Sequence, residues 1–166
     1  MQLLKIYYAY FSPGNTTEKV VSHIASSFQN YPVESINLTD YATRQEDYYF
    51  KENELLIIGV PAYGGRVPAP VVDALRHFTG SNTPVVLVAT YGNRDIDDTL
   101  IELKKNVIDK GFIPVGAASF VCQHTFLKEC AEGRPDEEDL KMAGEFGDKL
   151  KERLRLLVTY DAGDLE

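Results

Sequence analysis

The stretch Leu3-Leu4-Lys5-Ile6-Tyr7-Tyr8-Ala9-Tyr10-Phe11-Ser12-Pro13-Gly14-Asn15-Thr16-Thr17 joins a nearly continuous apolar and aromatic run to a turn. Only Lys5 interrupts the run before Ser12-Pro13-Gly14-Asn15 stops it, which is the pattern of a buried strand. Val20, Val21, Ile24, Ala25 and Phe28 then recur at helical spacing, so an amphipathic helix is expected after the turn. Strand, loop and helix form one unit, and the rest of the chain repeats it.

Val33 to Leu38 alternates weakly and predicts a second strand, and the polar, aromatic-rich residues 40–53 predict a short irregular helix. Leu55-Leu56-Ile57-Ile58-Gly59-Val60 is a third strand ended by Pro61. A Gly/Pro-rich loop runs to Pro70, and a helix carrying Val71, Val72, Ala74, Leu75 and Phe78 follows. Pro84 to Thr90 predicts a fourth strand, with a loop at Tyr91-Gly92-Asn93-Arg94 and a helix bearing Ile96, Leu100, Leu103 and Val107, closed by Gly111. Phe112 to Cys122 supplies a fifth strand. A last helix is expected from Arg134-Pro135-Asp136-Glu137-Glu138, with Leu140, Ala143, Phe146, Leu150 and Leu154 as its apolar stripe.

Five apolar strands alternating with helices require a parallel sheet covered on both faces, because right-handed crossovers put the helices there. The class is doubly wound α/β. Ligands of such sheets bind outside the carboxyl ends of the strands, where the winding reverses. The loops after the first, third and fourth strands all lie at that end.

With 166 residues, 44% hydrophobic and 25% charged, one domain is expected, over residues 1–158, followed by a tail at 159–166 that is a linker or, at Leu165-Glu166, the remnant of a tag. No run reaches the roughly 18 apolar residues of a membrane span. Met1-Gln2-Leu3-Leu4-Lys5 has no basic leader, so a cytoplasmic location is expected. A net charge of −8 argues against a nucleic-acid partner, which needs a basic face. Cys122 and Cys130 lack metal-ligand spacing and read as free thiols.

A loop leading from a buried strand into a helix aims unpaired N–H groups and the positive end of the helix dipole at one spot, which suits an anion. Ser12, Thr16 and Thr17 offer hydroxyls there, Gly14 lets the backbone come close, and Asn15 tolerates a left-handed conformation. The loop matches neither the Walker nor the dinucleotide glycine pattern and contains no lysine or arginine. A monoester phosphate held by neutral donors fits it; the competing reading is a plain turn with a helix cap.

Tyr10-Phe11-Ser12-Pro13-Gly14-Asn15-Thr16-Thr17-Glu18-Lys19-Val20 resembles the phosphate loop of flavodoxins, particularly the flavodoxin domains that precede a two-cluster ferredoxin module in anaerobic bacterial proteins. Gly59-Val60-Pro61-Ala62-Tyr63-Gly64-Gly65-Arg66-Val67-Pro68 is similar to their second flavin loop, and Tyr91-Gly92-Asn93-Arg94 with Asp97-Asp98 to their third. Gly133-Arg134-Pro135-Asp136-Glu137-Glu138-Asp139-Leu140 is similar to the start of their last helix. The family pattern Ser-Pro-Thr-Gly-x-Thr is changed here, with Gly14-Asn15 in place of Thr-Gly.

The resemblance implies a flavodoxin-like three-layer sandwich with strand order 2-1-3-4-5 and flavin mononucleotide (FMN) as cofactor. It implies a site built from Ser12, Pro13, Gly14, Asn15, Thr16, Thr17, Pro61, Ala62, Tyr63, Gly64, Gly65, Arg66, Thr90, Tyr91, Gly92 and Asn93, with no catalytic side chain. Tyr63 and Tyr91 would lie near the isoalloxazine ring. Asp97 and Asp98 read as helix-start acids, and the lone His124 is left outside the site. The expected function is electron transfer between redox proteins, among them an iron–sulfur ferredoxin-type module. An FMN-dependent NAD(P)H or quinone reductase on the same fold is the alternative. A phosphoacceptor receiver domain is disfavoured, since its paired acids, aspartate and lysine are replaced by Tyr10-Phe11-Ser12, Val60-Pro61 and Cys122-Gln123.

Overall fold

Leu55-Leu56-Ile57-Ile58-Gly59-Val60 forms the centre of the molecule, and its alternate side chains serve two separate cores. The computed structural model describes residues 2–163, with side chains through Leu156. In chain order the elements are β1 (Lys5–Tyr10), α1 (Thr16–Ser26), β2 (Val33–Asn37), a single-turn α2 (Tyr41–Arg44), β3 (Tyr48–Phe50), β4 (Glu54–Pro61) and α3 (Ala69–Ala74). Then follow β5 (Phe78–Gly80), β6 (Thr83–Tyr91), α4 (Thr99–Ile108), β7 (Phe112–Val121) and α5 (Glu137–Gly163). The principal sheet is parallel with order β2-β1-β4-β6-β7, the expected 2-1-3-4-5 arrangement of the five main strands.

On one face, Leu55 and Ile57 of β4 meet Val20, Val21 and Ile24 of α1 and Ala143, Leu150 and Leu154 of α5. On the other, Leu56, Ile58 and Val60 meet Val71 and Ala74 of α3 and Leu103 and Val107 of α4. A continuous apolar run is what a strand covered on both sides requires. Gly59 sets how close α1 can come: a Cβ there would lie 2.1 Å from Val21 Cγ2 and 3.1 Å from Thr17 Cγ2.

Two local expectations need correction and one is incomplete. Residues 40–53 contain the expected short helix as the one-turn α2, capped by the Asp40 carboxylate accepting from the Thr43 amide at 2.9 Å, but then extend as β3. Phe78 is not helical but opens β5, which pairs in parallel with β3 in a second, two-stranded sheet. The cause is aromatic packing: Phe78 sits 5.3 Å from Phe50 and 5.1 Å from Tyr48, and Phe50 sits 5.4 Å from Phe112. That cluster outweighs helical spacing, so α3 stops at Ala74 and one 3-10 turn, Leu75–His77, turns the chain.

The last helix starts at Glu137 rather than Arg134. Asp136 and Asp139 exchange side-chain-to-amide bonds of 3.0 Å each, a reciprocal cap that fixes the first turn. α5 continues without a break past residue 158 to Gly163, and Leu165-Glu166 lie outside the described residues. Among the described residues, no helix is long and apolar enough to cross a membrane.

Candidate functional site

Register brings the carboxyl ends of the central strands level: Tyr10 lies beside Gly59, Pro61 beside Thr90, and Tyr91 beside Val121. The chain departs from β1 toward β2 on one side and reaches β4 on the other, so the winding reverses between β1 and β4. A cavity of about 180 Å³ opens at that edge of the sheet. It is smaller than the roughly 300 Å³ that encloses a drug-sized ligand, so a larger molecule would be held along one edge and stay partly in solvent.

In the loop after β1, Asn15 adopts φ 61° and stands at the N-cap of α1 without a side-chain capping bond. The Asn15 amide donates back to the Ser12 carbonyl at 3.1 Å, and the Glu18 amide donates to Ser12 Oγ at 3.0 Å. No acceptor is present among the described residues for the amides of Thr16 and Thr17, the first two of α1. A Cβ on Gly14 would meet nothing within 4 Å, so packing does not demand a glycine there. Ser12 Oγ thus caps the third amide of α1, while the first two amides remain open to an anion.

The hydroxyls of this loop divide. Thr17 Oγ1 and Thr90 Oγ1 are 2.7 Å apart and fully buried, tying α1 to the end of β6. Thr16 faces the cavity. The Ser12 amide donates to Thr39 Oγ1 at 2.8 Å, which anchors the loop to the end of β2. One carboxylate stands close by: Glu18 neighbours Tyr10, whose phenol is pushed up to about 12 by burial and then by that charge.

The loop after β4 is pinned at both ends. Ala62 donates to the Thr90 carbonyl at 2.8 Å, and Tyr63 and Arg66 exchange two backbone bonds of 3.1 Å. Gly64 at φ 58° and Gly65 at φ 72° fill the centre of this two-residue turn, which needs positive φ at both positions. Tyr63 is held edge-on against Phe11 at 6.4 Å between ring centres and lines the cavity with Pro61, Ala62, Gly64 and Gly65.

Arg66 turns elsewhere. Its Nε donates to Glu102 Oε2 at 2.6 Å, and the Val67 amide donates to the same oxygen at 3.2 Å. The guanidinium holds the Glu102 carboxyl below its usual range. The pair clamps this loop to α4 and does not line the cavity.

At the end of β6 and in the loop after it, Thr90, Tyr91 and Gly92 line the cavity, as do Arg94 and Asp95; Asn93 takes φ 62° at the exposed tip. Asp98 occupies the N-cap position of α4 and donates its amide to the Gly65 carbonyl at 3.1 Å, joining the second and third loops. Of the residues expected from sequence, the cavity gathers Thr16, Pro61, Ala62, Tyr63, Gly64, Gly65, Thr90, Tyr91 and Gly92. Ser12, Pro13, Gly14, Asn15, Thr17, Arg66 and Asn93 flank or support it.

The fourth wall comes from the segment after β7, where Cys122, Gln123, His124, Thr125 and Phe126 line the cavity. Cys122 continues the sheet by donating its amide to the Tyr91 carbonyl at 2.8 Å. Burial pushes its thiol up to about 12, with the Thr16 hydroxyl opposing the shift. Both cysteines are free. His124 Nδ1 accepts from the amides of Phe126 at 3.1 Å and Leu127 at 3.0 Å. His124 thus stands in the cavity wall, although a lone histidine gave no reason to place it there. The signal available in the sequence was its position two residues beyond the end of an apolar strand.

These features define a doubly wound α/β domain with a crevice at its switch point. Neither a protein-family model nor a curated protein matches the sequence. Among solved structures the backbone is similar to a flavodoxin from the domain Archaea (14% identity, TM-score 0.62, 92% of this chain and 99% of that one). It is also similar to the two-electron reduced flavodoxin of Megasphaera elsdenii (19% identity, TM-score 0.55, 87% and 98%). Rubredoxin oxygen:oxidoreductase from the anaerobe Desulfovibrio gigas matches with 16% identity and a TM-score of 0.60, over 92% of this chain and 38% of that longer protein. The fold is flavodoxin-like.

Proposed function

We propose that this chain is an FMN-binding, flavodoxin-type electron-transfer domain. The observation that carries the reading is the start of α1, where the amides of Thr16 and Thr17 have no acceptor among the described residues and stand beside a cavity at the switch point of a flavodoxin-like sheet. The residues fit the cofactor: neutral donors suit a monoester phosphate, and Gly14 leaves room for close approach. Two half-buried tyrosines and a small, open cavity suit a planar ring held by one edge.

In this reading Ser12, Pro13, Gly14, Asn15, Thr16 and Thr17 hold the phosphate. Pro61, Ala62, Tyr63, Gly64 and Gly65 form one ring wall, and Thr90, Tyr91, Gly92 and Asn93 the other. Arg66 acts by fixing the second loop to α4. Bound FMN would supply one- and two-electron chemistry. The protein orients the ring, shields part of it from water and biases its potential through an acidic background of net charge −8. The partners are redox proteins, and an iron–sulfur ferredoxin-type module is one candidate by resemblance. Two free thiols agree with a reducing, cytoplasmic setting in a bacterial cell.

Reconstitution tests the reading. Purified protein mixed with FMN should give a bound, spectrally shifted flavin with micromolar or tighter affinity. Absence of binding at tens of micromolar FMN would refute it. NADPH-driven bleaching of the bound flavin without a partner protein would move the assignment to the reductase alternative.

A further inference from the structure

We infer that His124 is a ligand-positioning residue whose Nε2–H donates to an acceptor on the planar ring of a flavin bound against Gly92. This inference rests on the FMN reading above. A ring nitrogen that accepts a hydrogen bond cannot carry a proton, and Nδ1 accepts two, from the Phe126 and Leu127 amides. The ring proton is therefore on Nε2, a donor. The opposite, Cδ2-bearing edge of the imidazole lies over Gly92, where a Cβ would come within 2.5 Å of Cδ2.

Gly92 and His124 both line the cavity, and Nε2 has no partner among the described residues. This donor, fixed in one tautomer by its own loop, stays open to solvent on a residue of the cavity wall and has no protein partner among the described residues, so it is available to an acceptor on a bound ring. The loop is held firmly enough to aim it. The His124 amide donates to the Cys130 carbonyl at 3.0 Å, Cys130 Sγ donates to the Gly92 carbonyl at 3.1 Å, and Gln123 Nε2 donates to the Lys128 carbonyl at 3.0 Å. Its neighbour Gly92 belongs to the wall assigned to the ring, so the acceptor is a carbonyl oxygen or unprotonated nitrogen of the heterocycle rather than the phosphate.

Two substitutions in the full chain separate this role from loop support. His124→Asn keeps an acceptor near the Nδ1 position but cannot reach the Nε2 position; His124→Gln does the reverse. Titrations by flavin fluorescence with FMN and with riboflavin should show the Asn variant weakened about tenfold for both ligands, the worth of one neutral hydrogen bond. The Gln variant should recover most of that loss. Nitrogen-15 spectra of the wild-type imidazole should show the Nε2–H tautomer before any flavin is added, and an Nε2 signal that moves on saturation with FMN. The inference is overturned if the Asn variant binds both flavins as the wild type does, if the loss is confined to FMN, or if Nε2 is unmoved by FMN. A wild-type chain that binds neither flavin would instead bring down the FMN reading on which the inference stands.

Discussion

The loops after β1 and β7 end at the same edge of the sheet, yet they treat their polar groups in opposite ways. The Ser12–Thr17 loop caps the third amide of α1 with Ser12 Oγ and leaves the first two without acceptors among the described residues. The Cys122–Gly133 segment is braced by bonds of its own: His124 Nδ1 takes two amides, the Gln123 side chain bonds Lys128, and the Gln123 amide reaches the Arg134 carbonyl at 2.8 Å. In the proposed function one loop serves as a receptor made of backbone, the other as a wall that aims side chains. An anion site costs stability until filled, whereas a wall must be stable before the ligand arrives.

Substitutions can break that contrast from either side. The largest effect is expected at Gly59, the seat of the α1 loop. Gly59→Val would drive a side chain into Val21 and Thr17 and should lower stability by about 3 kcal/mol in urea unfolding. Thr17→Val should cost about 2 kcal/mol, because it leaves the buried Thr90 hydroxyl without its 2.7 Å partner. Gly14→Ala should separate ligand from fold. Nothing stands within 4 Å of its Cβ, so stability should change by less than about 0.5 kcal/mol. FMN affinity should nevertheless drop about tenfold, equivalent to about 1.4 kcal/mol, because the methyl group occupies the approach to the phosphate.

On the wall side, Arg134 grips Asp139 with Nε at 2.8 Å from Oδ2 and anchors the far end of the segment. That guanidinium, with the Asp136 amide, holds the Asp139 carboxyl at about 2, against an ordinary 3.8. A depressed carboxylate contributes stability that is present above the ordinary value and is lost as pH falls toward about 2. Acid titration of stability should therefore fall between about pH 4 and pH 2, and Asp139→Asn should flatten that stretch of the curve. The smallest effect concerns Cys122. With its thiol pushed up to about 12, it should resist iodoacetamide at pH 8, and fast labelling there would mean that the wall opens.

The same contrast explains what could be read from the sequence. β1, β4 and β6 are runs of apolar residues, and both the strand pattern and the turn chemistry of Ser12–Thr17 are local, so the sheet and the first loop were legible. Phe78 was misplaced because its strand depends on Phe50, 28 positions earlier, and on Phe112, 34 positions later. His124 was passed over for a related reason. Nothing in its neighbourhood along the chain says that Gly92 lies beneath its ring, and only register between β6 and β7 brings the two together. The loop position of Arg66 likewise says nothing of Glu102, the carboxylate that pairs with it from a helix 36 residues away.

Amide NMR spectra recorded during parallel titrations with FMN and riboflavin would show whether backbone amides at the start of α1 receive the phosphate of FMN. Saturating downfield shifts are expected at Thr16 and Thr17 with FMN and much smaller ones with riboflavin, which lacks the phosphate. Equal shifts with both flavins, or none at these two residues, would contradict phosphate binding there.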